Sequence, residues 1–218
     1  MSSIVRKWRN WTNKRKFTKV GKGCRFTGKN LMVKGHVELG DFCRFRDNVI
    51  LRTDGEGKIT FGDRSGCSWY CIIEATTHVK IGKFTGIAEF TVIRDTNHFV
   101  FGTDDHWRVT PYVAEPITIG DSVLVGSRCY IGPGITIGDG AVIAPGSIVT
   151  KDIGPYEIWA GSPARFVAHR TKNVPDRMLK RYEELLRQYG LKEDRYNYTD
   201  EDIKAAARQA GVEGKVED

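Results

Sequence analysis

From Ile119 to Val149 the aliphatic residues keep a fixed beat: Ile119, Val125, Ile131, Ile137, Ile143 and Val149 recur every six positions, and Gly120, Gly126, Gly132 and Gly138 follow the first four of them. A second register, four residues after each aliphatic position, holds Val123, Cys129, Ile135, Ala141 and Ser147, all apolar or small. A helix repeats at 3.6 residues and an ordinary strand at two, so neither explains a period of six. A parallel β-helix does. Each six-residue unit forms one flat face with its aliphatic residue inward, three faces close a triangular coil of about 18 residues, and stacking lines the aliphatic residues up in a column.

The same beat runs more loosely upstream. Val33, Leu39, Phe45 and Leu51 carry it, with Val37, Cys43 and Val49 in the second register. The turn-rich TDGEG (53–57) then predicts a small outward loop. Phe61, Cys67 and Ile73 restore the beat, a slip of two residues follows, and Ile81, Ile87 and Ile93 continue it. Residues 99–116 have no inward register. The aromatics Phe99, Phe101, Trp107 and Tyr112 in this loop predict an ordered excursion reaching toward a neighbouring subunit rather than a disordered insertion. Beyond Pro155 and Pro163, the run PDRMLKRYEELLRQYG predicts a helix stopped by Gly190, and a second helix is expected after Thr199 or Asp200. The expected organisation is all-β at its centre: a basic N-terminal helix and cap over 1–32, a β-helix over 33–170 with the loop 99–116, and a C-terminal helical extension over 171–218.

Charge and cysteine usage narrow the function classes. The net charge of +7 suits anionic partners, among them a phosphorylated cofactor, an acidic glycan or a membrane face. No nucleic-acid-binding module is present, and no nucleic-acid partner is expected. Residues 4–19 place Ile4, Trp8 and Trp11 at helical spacing among lysines and arginines, and two readings stay open: a cap on the open end of the β-helix, or a peripheral membrane contact. The N-terminus has no apolar segment of signal-peptide type and no run long enough to span a bilayer occurs, so a cytoplasmic location is expected. Of the five cysteines, Cys43, Cys67, Cys71 and Cys129 fit repeat positions and read as buried structural thiols, and no zinc-type spacing completes the Cys67/Cys71 pair.

The chemistry is expected where the beat breaks. In IRDTNHF (93–99), His98 sits at the base of the excursion next to Asp95 and Asn97, and a histidine there can serve as a general base near neutral pH. Glu74 and Asp95 are the carboxylates placed to orient His98 or an acceptor hydroxyl. Trp69 or Tyr70 could stack on a sugar ring. His36, His78, His106 and His169 read as surface residues, and no metal is expected.

The repeat, the DTNH tetrapeptide, the loop after it and the closing VTKDI and AGSPAR segments together resemble the hexapeptide-repeat acyltransferases, in particular the maltose, galactoside and bacterial-polysaccharide O-acetyltransferases. The resemblance spans roughly residues 33–170. It implies a left-handed β-helix, a homotrimer with active sites between subunits, and acetyl-CoA as donor. It also implies His98 as catalytic base and the Ser127 backbone N–H, in the Gly126-Ser127 step, as oxyanion donor. By the same likeness the pantetheine arm runs past Ala144 and Pro145, and the phosphates meet Thr150, Lys151 and Arg165. Two departures stand out: Leu124-Val125-Gly126 replaces the family's Trp-Ile-Gly, and GCSWYCIIE, with Ser68, Trp69, Tyr70 and Glu74, lacks the polar Asn that faces the base in many sugar acetyltransferases.

The resulting expectation is an acetyl-CoA-dependent O-acetyltransferase acting on a carbohydrate hydroxyl of a bacterial polysaccharide, glycolipid or precursor. The alternatives are an N-acetyltransferase on a nucleotide-linked amino sugar and a non-catalytic β-helix scaffold or glycan-binding module.

Overall fold

The computed structural model describes residues 10–188 except 27 and 103. The helical expectations for residues 4–9 and for the segment after Thr199 lie outside the described residues, as does the proposed stop at Gly190. Residues up to Arg170 form one compact unit and those from Thr171 another.

The first unit is a three-sided parallel β-helix of about seven coils. Face A stacks the strands Lys19–Val20, His36–Leu39, Lys58–Phe61, His78–Ile81, Ile117–Ile119 and Thr136–Ile137. Face B runs from Arg25–Phe26 through Arg44–Phe45, Gly66–Cys67, Gly86–Ile87 and Leu124–Val125 to Val142–Ile143, and ends on Glu157–Ala160 and the antiparallel Arg165–His169. Face C holds Met32–Lys34, Ile50–Thr53, Ile72–Ala75, Val92–Arg94, Tyr130–Ile131 and Ile148–Val149. Every named aliphatic position of the clean repeat, Ile119 through Val149, is buried. Register explains why: Ile81 pairs with Ile119, Ile119 with Ile137, Val125 with Ile143 and Ile131 with Val149, so like side chains sit directly above one another.

The β-helix starts earlier than residue 33. Lys19 pairs with Glu38 and Arg25 with Arg44, so residues assigned above to the cap build the first coil. The seven-residue step from Phe26 to Val33 hides this coil from a strict period of six. Its core is aromatic: Phe17, Phe26, Phe45 and Phe61 follow one another at ring distances of 5.0, 5.9 and 5.0 Å. Phe17 covers the first layer, and Asn10 ties the preceding helical turn (10–14) to the coil by accepting the Phe26 N–H at 2.8 Å. All five cysteines are buried, Cys24 included, and desolvation pushes the Cys67 and Cys129 thiols up, which suppresses the reactive thiolate.

The excursion leaves face C after Arg94. Thr96–His98 pairs antiparallel with Tyr112–Ala114, so its base is a short β-ladder rather than irregular loop. Glu115 re-enters the stack by donating to the Asp95 carbonyl at 2.9 Å. The Asp95 side chain is fully buried and accepts the Thr76 N–H at 2.8 Å, the Thr77 N–H at 2.7 Å and the hydroxyls of Thr77 and Thr96 at 2.7 and 2.9 Å. Thr76 and Thr77 are the two-residue slip. Their amides cannot meet a regular neighbouring coil at that point, and Asp95 supplies the acceptors instead.

In the second unit, helix α1 (Asp176–Gln188) occupies the predicted segment, with Arg181 and Glu184 paired at 3.2 Å one turn apart.

Replacing Asp95 by Ala removes the acceptor of the Thr76 and Thr77 amides and of two hydroxyls, each loss costing about 1 kcal/mol. Asp95→Ala should lower unfolding stability by about 3 kcal/mol in urea titration; a loss under about 1 kcal/mol would show that the slip does not depend on this carboxylate.

Candidate active site

His98 is the last residue of the strand Thr96–His98, set where the excursion rises from the corner between faces C and A. It is half-buried and walled by aromatics: Tyr112, its cross-strand partner, lies at a ring distance of 4.3 Å, and Trp107 meets it edge-on at 5.5 Å. Its Nδ1 is 3.1 Å from Thr110 Oγ1. The buried Thr110 hydroxyl donates its only proton to the Trp107 carbonyl at 2.8 Å. Thr110 is therefore the acceptor in its contact with His98, which puts the imidazole proton on Nδ1 and leaves the Nε2 lone pair available.

His98 opens onto a cavity of about 480 Å³ lined by Arg52, Asp54, Glu74, Thr76, Arg94, Thr96, Asn97 and Tyr112, among others. Glu74 stands between two arginines in register on face C, 3.1 Å from Arg52 and in close contact with Arg94, while Asp54 reaches Arg52 at 3.4 Å. The wall is thus polar and nearly charge-balanced, with many donors and acceptors, which suits a polyhydroxylated ligand.

The predicted residues separate into groups. His98, Asn97 and Glu74 share the cavity. Of the two carboxylates expected to orient His98 or an acceptor hydroxyl, neither touches the imidazole, whose Nδ1 meets Thr110: Asp95 is held by the slip, while Glu74, paired with two arginines, lines the cavity where an acceptor hydroxyl would lie. Trp69 and Tyr70 lie on the opposite corner, between faces B and C, where Arg46 covers the Trp69 ring at 4.5 Å and Tyr70 stacks on Phe90 at 5.1 Å. Gly126, Ser127, Ala144 and Pro145 occupy that same corner on the following coils, tied together by the Gly146 N–H donating to the Ser127 carbonyl at 2.8 Å. The Ser127 N–H meets no acceptor among the described residues. Thr150 and Lys151 are exposed after the last face-C strand, and Arg165 is exposed on the closing strand of face B. Among the described residues no cluster of three or more His, Cys, Asp or Glu could hold a metal ion, and no helix is long and apolar enough to cross a membrane.

Thr110, Arg52 and Arg94 escaped the sequence reading, and Tyr112 was read only as an aromatic of the excursion. Thr110 carries no local signal, because its proximity to His98 exists only once the hairpin closes. The arginines were detectable, since Arg52, Glu74 and Arg94 hold equivalent outward positions on successive coils.

Residues 116–151 match the family model described as bacterial transferase hexapeptide (six repeats). The chain carries the repeat and fold of the hexapeptide acyltransferases. A galactoside acetyltransferase solved with coenzyme A is 26% identical, covering 88% of this chain and 78% of its own, at a TM-score of 0.53. AntD, an N-acyltransferase from Bacillus cereus solved with dTDP and 3-hydroxybutyryl-CoA, is 20% identical over 83% of this chain and 95% of its own, at a TM-score of 0.65. A hexapeptide-repeat acetyltransferase from Vibrio cholerae is 19% identical over 78% and 84%, at a TM-score of 0.54. No curated protein sequence matches the chain significantly.

The hydrogen-bond network fixes a measurable state. Nitrogen NMR of the neutral His98 imidazole should report the Nδ1–H tautomer, and Thr110→Val, which keeps the shape but removes the acceptor, should shift it toward a mixture. An Nε2–H tautomer in the native protein would overturn the assignment.

Proposed function

We propose that this protein is an acyl-CoA-dependent O-acyltransferase, with acetyl as the acyl group, acting on a carbohydrate hydroxyl. His98 is its general base. The observation that carries this reading is the Thr110 contact, which leaves the Nε2 lone pair available on a histidine that lines a cavity with polar and charged groups. Nε2 takes the proton of an acceptor hydroxyl as its oxygen attacks the thioester carbonyl, and the tetrahedral oxyanion needs a fixed donor. The Ser127 N–H is such a donor. CoA supplies the activated acyl group and a thiolate leaving group, so no enzyme nucleophile is needed. The residues present fit it: the Gly126–Ser127 and Ala144–Pro145 steps form a bare, narrow corner, and Thr150, Lys151 and Arg165 are exposed for phosphate contact.

Within one chain, face C separates His98 from Ser127. A complete site therefore needs the corner of a second copy, and we place the active sites at the interfaces of a homotrimer. The AntD likeness supports a second reading, N-acylation of a nucleotide-linked amino sugar. A neutral amine needs less help from a base, so the two readings differ in their dependence on His98.

His98→Ala should cut transfer to a hydroxyl acceptor by about 10²–10⁴-fold while CoA affinity in calorimetry stays within a factor of two of wild type. Transfer at the wild-type rate sinks the assignment, and transfer to amines alone favours the second reading. Mixed oligomers of His98→Ala with Pro145→Glu, each inactive by itself, should regain activity if the site spans two copies; no recovery from verified mixed oligomers would place it within one chain.

A further inference from the structure

A second cavity, of about 350 Å³, lies on the outer surface of face B, away from His98. Its floor is where side chains are missing. Along the outward column of this face Arg44, Gly66, Gly86, Leu124 and Val142 are aligned in register, so two consecutive coils present only glycine.

The two glycines have different causes. A Cβ on Gly66 would sit 1.9 Å from the Arg44 carbonyl oxygen, so the backbone path demands glycine there. A Cβ on Gly86 would meet nothing within 4 Å, and its φ lies outside the left-handed region. Glycine within a strand weakens it and packs nothing, so packing alone does not account for Gly86. What its absence of a side chain achieves is an open groove.

Three arginines line that groove: Arg44, Arg46 and Arg64. Aromatic rings lie under two of the guanidinium groups, Trp69 at 4.5 Å from Arg46 and Phe42 at 4.9 Å from Arg64. Such planar forks match the oxygens of a carboxylate or phosphate. Glu89 also lines the groove and adds a hydroxyl acceptor, which suits an anion carried on a sugar better than a bare inorganic one. The groove reaches Ser68 and Glu89 at the corner that bears Ser127, so it continues toward the reacting groups.

We propose that this groove is an acceptor subsite for a sugar-borne anion, either a uronate carboxylate or a sugar phosphate. The proposal rests on the carbohydrate acyltransferase reading for its role, but its binding test does not depend on turnover.

Calorimetry on the intact protein, with no acyl donor, should compare an oligogalacturonate, glucose 1-phosphate and a neutral galacto-oligosaccharide. At least one anionic probe should bind about tenfold or more tightly than the neutral one, as expected for a charge-assisted contact. Whichever of the two it is identifies the group as carboxylate or phosphate. Gly86→Val should fill the groove and weaken that binding about tenfold without lowering the melting temperature, and Arg64→Gln should weaken it similarly. CoA affinity should be unchanged in both. Equal binding of neutral and anionic probes, or wild-type affinity in both variants, overturns the subsite. So does loss of CoA binding, which would give the groove to the donor, or dissociation of the oligomer by Gly86→Val, which would make the face an interface. Because His98→Ala tests catalysis and these variants test binding, either idea can fail while the other stands.

Discussion

In a parallel β-helix each strand finds its hydrogen-bond partners in the coils directly above and below it, so every coil must retrace the backbone path of its neighbours. Departures are admitted only where something else satisfies the displaced amides. Asp95 meets that condition for both large irregularities of this chain at once. The slip at Thr76 and Thr77 and the departure of the excursion lie on adjacent coils at the same corner: the buried carboxylate takes the amides of the slip and the Thr96 hydroxyl, and the Asp95 carbonyl takes the Glu115 amide where the chain returns. The base of the hairpin is thereby attached to the stacked coils. His98 stands three residues on, at the end of the hairpin ladder.

The core was legible in the sequence because its constraint is periodic. Ile119 through Val149 had to recur every six residues, and nothing else in soluble protein structure imposes that spacing. The first coil was not, since a seven-residue step and an aromatic core around Phe26 depart from the aliphatic pattern while still filling the same column. His98 could be singled out by its place at a break in the beat. Its partner could not: Thr110 is twelve residues away across a hairpin whose closure no local pattern announces. Asp95 illustrates the opposite error. Adjacency in sequence suggested that it orients the histidine, yet Asp95 sits at the bend between two strands with its carboxylate buried against Thr76 and Thr77, while His98 lines the cavity.

The regular scaffold also sets how the candidate site is divided. Corners are where a β-helix turns and leaves backbone groups outside the ladders, and the proposed site draws on two of them. His98 belongs to the corner between faces C and A, Ser127 to the one between B and C. A flat sheet stands between them, so no side-chain motion within one chain unites them. Association of copies joins such surfaces without altering the coils, which is a physical reason for a protein of this shape to act as an oligomer.

The choice between hydroxyl and amine acceptors turns on the imidazole rather than on overall likeness. AntD superposes with the higher TM-score and the galactoside acetyltransferase has the higher identity, and a shared scaffold serves either chemistry. The local geometry is more discriminating. An alcohol must lose its proton as it attacks, because the protonated adduct is too acidic to accumulate, whereas a neutral amine can attack first and release its proton later. A histidine held in one tautomer beside the cavity, with Nδ1 anchored through Thr110 to the backbone at Trp107 and the Nε2 lone pair left over, would contribute most as a base when proton removal is part of the bond-forming step. That arrangement favours the hydroxyl.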